Sequence, residues 1–587
     1  MRQATSRREA GVGRGTAVGL GLLLCLLLAV AVWALHVSAY RPLPASATTS
    51  AGGAAPGKSG GGDMGYPWRG AIHVHSRLSD GAGSIDSIVQ AASAAGVDFL
   101  ILTDHNPLGA AARAGGGWRS GVFVIVGEEI STSEGHLLAL QVPAHRFGFG
   151  PSARDALADI EELGGWALVA HPSHPQEPWR GGWAGLQGLE VVNLASSWAR
   201  TGWGRRWASI AAYPFNPGYT ALRLLSDNTA AVSLWDGMTR LSTGGEGRWP
   251  RRLSAVASAD AHGPVLWPLP LPRYVDALAA VNTVVWIDEP ASDRQQDAGA
   301  KLLAALRAGR AAAEIASVGE ARGFHFLARA AAGPPVRLGE MASWEEGPWM
   351  LRAGFNAPGP YRVILYRDGQ RVANADGAGL EYTADRPGTY RAEVYRIDGP
   401  RGAGHVGGVP WVISNPIYLW PAGARQAAVF HRAPPLPAPP VSESLATRPG
   451  WGAESSVDAR SQLDGAAGRL SWELELPTQG QAESYAALAW RPAAPVDWSR
   501  RGGLVLRLSS RRTLRFIVQV RCRAADGRER SWYHSLKVGP AARSVAIPWS
   551  RWLLQGEDAA HQTRVADQTR PAATTAGPGS EDLGRVT

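Results

Sequence analysis

The sequence predicts an α/β protein whose first folded part is built on a parallel sheet or barrel, followed by two all-β segments. Three observations predict it. Between about residues 66 and 290, short apolar runs alternate with stretches whose apolar residues recur at helical spacing, the pattern of successive βα units. Almost every one of those apolar runs ends in His, Asp or Glu. From about residue 320 the texture changes to apolar–polar alternation broken by frequent turn signals.

The elements follow in order. Residues 1–41 open with Arg2, Arg7, Arg8 and Arg14, and then run TAVGLGLLLCLLLAVAVWALHVSAY, with no charged residue before Arg41. An apolar helix of about 20 residues spans a bilayer core, and positive residues before it hold that end inside. A transmembrane anchor and a cleavable signal peptide both fit, since VSAY offers small residues for a cut. Either way the body is expected outside the cytoplasm, membrane-anchored or secreted. Residues 42–65 form a flexible Gly/Ser/Ala/Pro spacer. Within 66–300, WRGAIHVHS, VDFLILTDHN, GVFVIVGEEIS, GWALVAHP, LQGLEVVNLAS and LSAVASADAHG read as buried strands, and SIDSIVQAASAAG and ARDALADIEELG as helices. A connecting helix, KLLAALRAGRAAAEI, and a small β-sandwich with RDGQ and RPGT turns fill 301–422. The Pro-rich stretch 423–448 precedes a jelly-roll-like β domain over 449–555, and 556–587 reads as a disordered tail.

The polar strand ends carry the chemistry. Residues i and i+2 of a strand share a side, so His73 and His75 in GAIHVHSRLSD face one way. Asp80 follows in a loop. The second strand ends in Asp104 and His105, the third in Glu128 and Glu129, with His136 in GHLLAL just after; the fourth ends in His171 with His174 beyond, and a later one in Asp260 and His262. Seven of the 14 histidines thus fall where α/β barrels gather functional groups. Imidazole and carboxylate together suit zinc, manganese or iron, and a carboxylate can bridge two ions. Left unligated, so many converging polar groups would cost several kcal/mol.

These residues, in this order, resemble the polymerase and histidinol phosphatase (PHP) domain over about 66–265, through the elements HxH, SDG, TDH, GxE, GH, AHP and DAH. The resemblance implies a distorted (β/α)7 barrel with two or three divalent metals at its mouth. It implies one ion on His73, His75, Glu129 and Asp260, a second on Glu129, His136 and His171, and a third on Asp80, His105 and His262. Glu129 is the ligand in this reading and Glu128 its neighbour; Asp104 orients a ligand, and His174 is a loop residue. Asp80 stands where some relatives carry histidine, and a hard carboxylate there favours manganese or iron. More loosely, over about 66–420, the order of motifs resembles the exported branch of PHP hydrolases that includes relatives of carbaryl hydrolase. The segment 449–553 is similar to galactose-binding-like jelly rolls, which suggests a glycan as its partner.

The bulk composition narrows the field. Two cysteines, Cys25 and Cys522, exclude a disulfide framework and a Cys-based zinc site. The net charge of +9 rests almost wholly on arginine, without a dense basic run interleaved with aromatics, so no strong nucleic-acid groove is expected. The leading expectation is a metal-dependent phosphoesterase acting on small-molecule or nucleotide phosphate esters, with exonuclease-like action on 5′ ends among its forms. In it Asp260 takes a proton from the attacking water, Glu129 bridges metals, and Arg77 meets the substrate phosphate. An esterase or amidase of the carbamate-cleaving kind is the second expectation, and a non-catalytic metal-binding envelope protein the third.

Overall fold

The computed structural model describes residues 23, 25–43, 62–105, 115–143, 149–225 (less 151), 229–240, 251–264 and 272–288. Most of 295–424 and, with breaks, 448–554 are described as well. The chain divides into two compact units, Met1–His431 and Arg432–Thr587. The spacer at 44–61, the Pro-rich stretch at 425–447 and the tail from 555 lie outside the described residues.

In the first unit a helix α1 (25–39) is followed by β1 (Tyr66–Val74), α2 (Ile85–Ala94), β2 (Phe99–Leu102), β3 (Gly117–Arg119), β4 (Val122–Val126), β5 (Glu128–Thr132) and β6 (Gly135–Leu140). Next come α3 (Ala153–Glu162), β7 (Trp166–Val169), β8 (Gly188–Asn193), α4 (Leu194–Arg200), α5 (Trp203–Ala212), α6 (Pro217–Leu224), α7 (Thr229–Thr239) and β9 (Ser254–Ser258). The expected helices form where their caps require: Ser84 accepts from Ser87 N at α2, and Ser152 from Asp155 N at α3. Two sheets share this part of the chain. In one, β1, β2 and β4 pair in parallel; in the other, the order is β5-β6-β7-β8-β9.

The sheets join at both ends. His105 bridges Glu129, and Val74 bridges Ala261, while Ala261 N donates to His73 O and His75 N to Ala261 O. The strands therefore follow a ring, β1, β2, β4 running on into β5, then β6, β7, β8, β9 and β1 again. Ile72, Ile101, Ile125, Leu138, Leu168 and Val256, one from each of six of these strands, are buried in one apolar cluster. Burying each such side chain contributes about 1.5–3 kcal/mol.

The ring is not uniformly parallel, which corrects the sequence reading. β6 runs antiparallel to both β5 and β7, because only Ser133 and Glu134 separate β5 from β6. A two-residue link can make a hairpin but not the crossover that a parallel pair needs. The reversal has a functional consequence: His136, at the start of β6, lies at the same end of the ring as the strand ends of its neighbours.

On the far side of β1 the sheet continues through β10 (Asn282–Ile287) and β11 (Ala311–Glu314), both antiparallel, after the helices α8 (Tyr274–Ala280) and α9 (Gln295–Arg307). The connecting helix thus starts at Gln295, six residues before Lys301. Beyond it lie β12 (Phe324–Arg329), β13 (Val336–Arg337), β14 (Met341–Ser343), β15 (Met350–Phe355), β16 (Tyr361–Arg367), β17 (Gln370–Asp376), β18 (Leu380–Thr383), β19 (Gly388–Arg396), β20 (Pro410–Ser414) and β21 (Ile417–Trp420). The order β13-β12-β15-β18 forms a separate four-stranded sheet, whereas β20 pairs with β11 and carries the ring's own sheet onward. The RDGQ turn is a two-residue hairpin with Asp368 and Gly369 both at positive φ, as a type I′ turn demands. RPGT instead lies where the chain passes from β18 to β19, strands of different sheets.

The second unit is all antiparallel among its described residues. β22 (Trp451–Ser455) pairs β25 (Ala486–Trp490), β23 (Arg460–Ala466) pairs β24 (Arg469–Glu475), and β26 (Gly503–Leu508) pairs β29 (Arg543–Pro548). β27 (Leu514–Arg523) pairs β28 (Glu529–Val538), which also holds β30 (Leu553–Leu554). Trp498, Val520, Trp532, Leu536, Val538 and Ile547 form its core.

Asn415 clamps the ring to its extension. Its side chain receives Ala255 N at 2.7 Å and donates to Ala255 O and Ala311 O, all buried. Asn415→Ala would remove the side-chain partner of Ala255 N and Ala255 O, at about 1–3 kcal/mol for each left without a partner, while Ala311 O keeps the Asn415 N–H. We expect Asn415→Ala to cost about 3 kcal/mol or more, read as a lower midpoint in urea unfolding.

Candidate metal centre

The site begins with irregularities in the strands. The β1–β2 register shifts between Ile72 and Val74, and His73 within the bulge has φ 66°. Plain alternation therefore does not aim His73 and His75 together; the bulge re-aims His73, and His75 lies one residue beyond the strand. His171 (φ 27°) and Asp260 (φ 48°) also sit in left-handed backbone just past β7 and β9. Such conformations cost on the order of 1–3 kcal/mol each for non-glycine residues and persist where surrounding structure holds them.

At the centre lies Glu129, 2% exposed. Its two oxygens face different histidines. Oε1 is 2.9 Å from His136 Nδ1 and 3.1 Å from His171 Nε2. Oε2 is 2.9 Å from His73 Nε2, 3.1 Å from His75 Nε2 and 3.3 Å from His105 Nε2. Asp260 Oδ1 lies 3.5 Å from His73 Nε2 and 3.6 Å from both His75 Nε2 and His262 Nδ1. Asp80, half exposed, reaches His75 Nδ1 at 3.3 Å, His262 Nε2 at 3.2 Å and His105 Nε2 at 3.8 Å. The nine residues expected as ligands thus converge.

Several donor sets fit an ion. His73, His75 and Asp260, then His73, Glu129 and His171, and finally His75, Asp80 and His105 each offer ligand atoms within 4.8 Å of one another. His75 Nε2 and His171 Nδ1 are buried without a hydrogen bond. For His75 this holds although a carboxylate oxygen stands 3.1 Å away, so the ring nitrogen does not meet it along an N–H···O line. An imidazole nitrogen and a carboxylate at that separation suit a cation between them.

Of the remaining expected residues, Asp104 accepts from Ser76 N at 2.6 Å, Ser76 Oγ at 2.8 Å and Ser79 Oγ at 2.8 Å, and so fixes the loop carrying Asp80. Glu128 takes the opposite side of β5 from Glu129. His174 packs edge-on to His171 and accepts from Glu177 N through Nδ1. Arg77 is not brought into the cluster: it is exposed, and its Nε donates to Ala82 O at 2.6 Å, closing its own loop.

Two residues of β8 complete the site and were not singled out in the sequence. Glu190, 1% exposed, accepts from His73 Nδ1 at 2.7 Å and from His171 N at 2.7 Å. A register shift between Glu190 and Val192 accompanies its inward turn. Asn193 donates through Nδ2 to Glu190 Oε2, Ser258 Oγ and Asp260 Oδ2, while its Oδ1 caps α4 by accepting from Ser196 N. A lone glutamate inside the apolar run LEVVN was the available signal.

Burial opposes charge throughout the cluster, and the opposite charges overcome it. Desolvation pulls the His75 ring down, but Asp260 and Glu129 lift it to about 9. His73 is held well above its ordinary value by Asp260, Glu129 and Glu190, against the same desolvation, and His171 is raised too. Burial would raise Glu129, yet the surrounding imidazoles hold it well below the carboxylate range; Asp260 is likewise lowered. Burial keeps His105 and His174 below their ordinary value.

The sign of the pH dependence follows for the metal-free protein. Raised histidines contribute stability that is present below pH 6.5 and is lost as pH rises through about 9. Glu129 contributes stability present above 4.5 and lost as pH falls through its depressed value. The lowered His105 and His174 run opposite to the raised rings, with smaller shifts than His73 and His75. Melts of the chelator-treated protein are therefore expected to peak between about pH 4.5 and 6.5 and to fall toward 9, and saturating zinc or manganese is expected to reverse that fall. Glu190→Gln, which leaves His73 without its charged orienting partner, is expected to weaken metal binding about 10–100-fold in a chelator competition with the fold retained by circular dichroism.

One family model matches the stretch that carries most of these residues. Residues 71–150 match the family model of the PHP domain. An uncharacterized protein of Methanocaldococcus jannaschii is 28% identical over 124 residues, covering 18% of this chain and 67% of its own. A two-domain protein of Bacteroides vulgatus containing a predicted PHP-like metal-dependent phosphoesterase is 13% identical with a TM-score of 0.29, over 60% of this chain and 96% of that one. A protein of Bifidobacterium adolescentis provisionally assigned as a metal-dependent phosphoesterase is 15% identical with a TM-score of 0.21, over 35% and 91%. With its motif-bearing strand ends converging on one buried carboxylate, the first unit of this chain carries a PHP domain.

Proposed function

We propose that the protein is a metal-dependent hydrolase of phosphate esters, mono- or diesters, built on a distorted (β/α)7 barrel. One observation carries the reading: the single carboxylate of Glu129 turns one oxygen to His136 and His171 and the other to His73, His75 and His105. That division is what a ligand shared between two cations requires. His73, His75, Glu129 and Asp260 would hold one ion, Glu129, His136 and His171 a second, and Asp80, His105 and His262 a third. Manganese, zinc or iron bound there supplies an activated water and stabilises negative oxygens in the transition state.

The chain's own residues do the rest. Asp260 accepts the proton of the attacking water, and Asn193 Nδ2 at 3.3 Å from Oδ2 fixes its orientation. Glu190 holds His73 through Nδ1, so that Nε2 faces the cluster. Asp104 anchors the loop that brings Asp80 to His262. The N-terminal apolar run supports a placement at the membrane, outside the cytoplasm. Among the described residues no helix is long and apolar enough to cross a membrane, and the run begins outside them.

A second reading, cleavage of a carboxylic ester or carbamate, is favoured by the arginines near the cluster. Arg77 Nε donates to Ala82 O of its own loop, and Arg200 Nη1, at the end of α4, donates to Ser173 O and Oγ in the loop after β7, so both guanidinium groups already carry protein partners. The full-length protein, stripped and reloaded with manganese or zinc, separates the two on p-nitrophenyl phosphate, bis-p-nitrophenyl phosphate and a naphthyl carbamate. We expect metal-dependent phosphate ester cleavage that falls at least about a hundredfold in Glu129→Gln. Carbamate cleavage alone would replace the first reading with the second, and no turnover by protein shown to hold metal would reject both.

A further inference from the structure

The part of the first unit beside α1 shows an unusual surface. α5 presents Trp203 and Trp207, one helical turn apart, at 73% and 62% exposure. Residues 210 and 211 continue that side of the helix, and Phe215, 48% exposed, ends it. Two exposed indoles on one helix face are costly in water, and Trp is a residue favoured where one end of a ring is apolar and the other wet. Arg206 stands over the rings of Trp198 and Trp203, at 5.3 Å and 5.8 Å, an arrangement that keeps a cation beside the aromatic stripe.

This stripe runs into α1. The Trp33 ring packs edge-on against Phe215 at 6.1 Å, His36 against Tyr219 at 6.3 Å, and Tyr40 against Tyr219 at 5.6 Å. Asn216 Nδ2 donates to the carbonyls of Val37 and Tyr40 at the helix end, and Tyr40 Oη donates to Ser317 O. The last turns of α1 are thereby fixed to α6. Its earlier turns are different: Leu26, Leu27, Leu28, Val30 and Val32 are all more than half exposed or close to it, on every side of the helix. In sequence that apolar character extends back to Thr16. A helix apolar all round is not a water-facing element.

We propose that the α5 face of Trp203, Trp207 and Phe215 rests in the headgroup region of the bilayer into which α1 leads. The lipid interface is the occupant because the face is continuous, through Trp33 and Phe215, with a helix apolar on all sides. Its composition, two exposed indoles and a phenyl ring with Arg206 held beside them, is that of an interfacial anchor. The rigid docking of α1 on α6 then sets how the unit meets the membrane. This inference is independent of the hydrolase reading.

The test uses the full chain in phosphatidylcholine–phosphatidylglycerol nanodiscs, in a Cys25→Ser/Cys522→Ser background. An environment-sensitive NBD dye is attached in turn at Trp207→Cys, Phe215→Cys and, as a reference on β15, Met350→Cys. All three positions are exposed, so labelling leaves the core intact. We expect doxyl-labelled lipid to quench the dye at 207 and 215 by about twofold or more relative to 350, with aqueous iodide showing the reverse order. Iodide quenching at 207 and 215 equal to that at 350 would overturn the proposal. Shielding from both quenchers, with a particle mass of two chains, would overturn it in favour of a second copy covering the face.

Discussion

The site depends on the burial of one negative charge. A carboxylate taken out of water costs several kcal/mol unless it is paired and hydrogen-bonded, and Glu129 is almost wholly buried. Five imidazoles from four separate strands and loops meet that cost. Two of them, His73 and His171, are set in place by left-handed backbone that would otherwise be unfavourable. The ring closure is part of the same balance. The bridge between His105 and Glu129 joins the two sheets at the point where the carboxylate sits, and the bridge between Val74 and Ala261 joins them beside Asp260. Fold closure and charge compensation therefore occupy the same few residues.

This concentration explains why so much of the site was legible in the sequence. Ligands at strand ends appear as short local words, because a strand delivers its last residues to the mouth whatever the rest of the chain does. HVHS, TDHN, GEEIS, AHP and DAH are such words, and all of them meet around Glu129. The residues that were not legible act across the fold. Glu190 lies three residues before the end of its strand, and only the register shift beside it turns its carboxylate toward His73. Arg77 shows the converse. Its position after HVHS suggested a substrate contact, but a loop closing on itself through Ala82 engages the guanidinium first.

The direction of β6 belongs to the same lesson. Apolar content alone cannot say which way a strand runs, and the alternation of strands and helices suggested parallel pairing throughout. Two residues between β5 and β6 leave no room for a crossover, so the hairpin was implicit in the spacing of GEEISTSEGHLLAL. The antiparallel strand brings His136 to the mouth at its beginning, where a parallel strand would have brought its end. A GH pair opening the strand after the one that begins with Glu128 and Glu129 is thus a signature of the hairpin.

Asn193 shows how the site is held stiff. One side chain caps α4 through Oδ1 and, through Nδ2, reaches Glu190, Ser258 and Asp260, so the start of a helix, the end of β8 and the end of β9 share a single planar amide. Rotation of that amide would unsatisfy a helix terminus and release two carboxylates together, so the group has one acceptable orientation. Asp260 at the far side is also the residue whose backbone lies in the left-handed region. Its main chain is pinned through the neighbouring Ala261 to His73 and His75, and its side chain is pinned through Asn193. In the proposed reaction, a base that must take a proton from a water in a fixed place gains from being held at both ends, since small displacements at a reacting centre cost large factors in rate. The same bonds that offset the strain at Asp260 are therefore those that aim it.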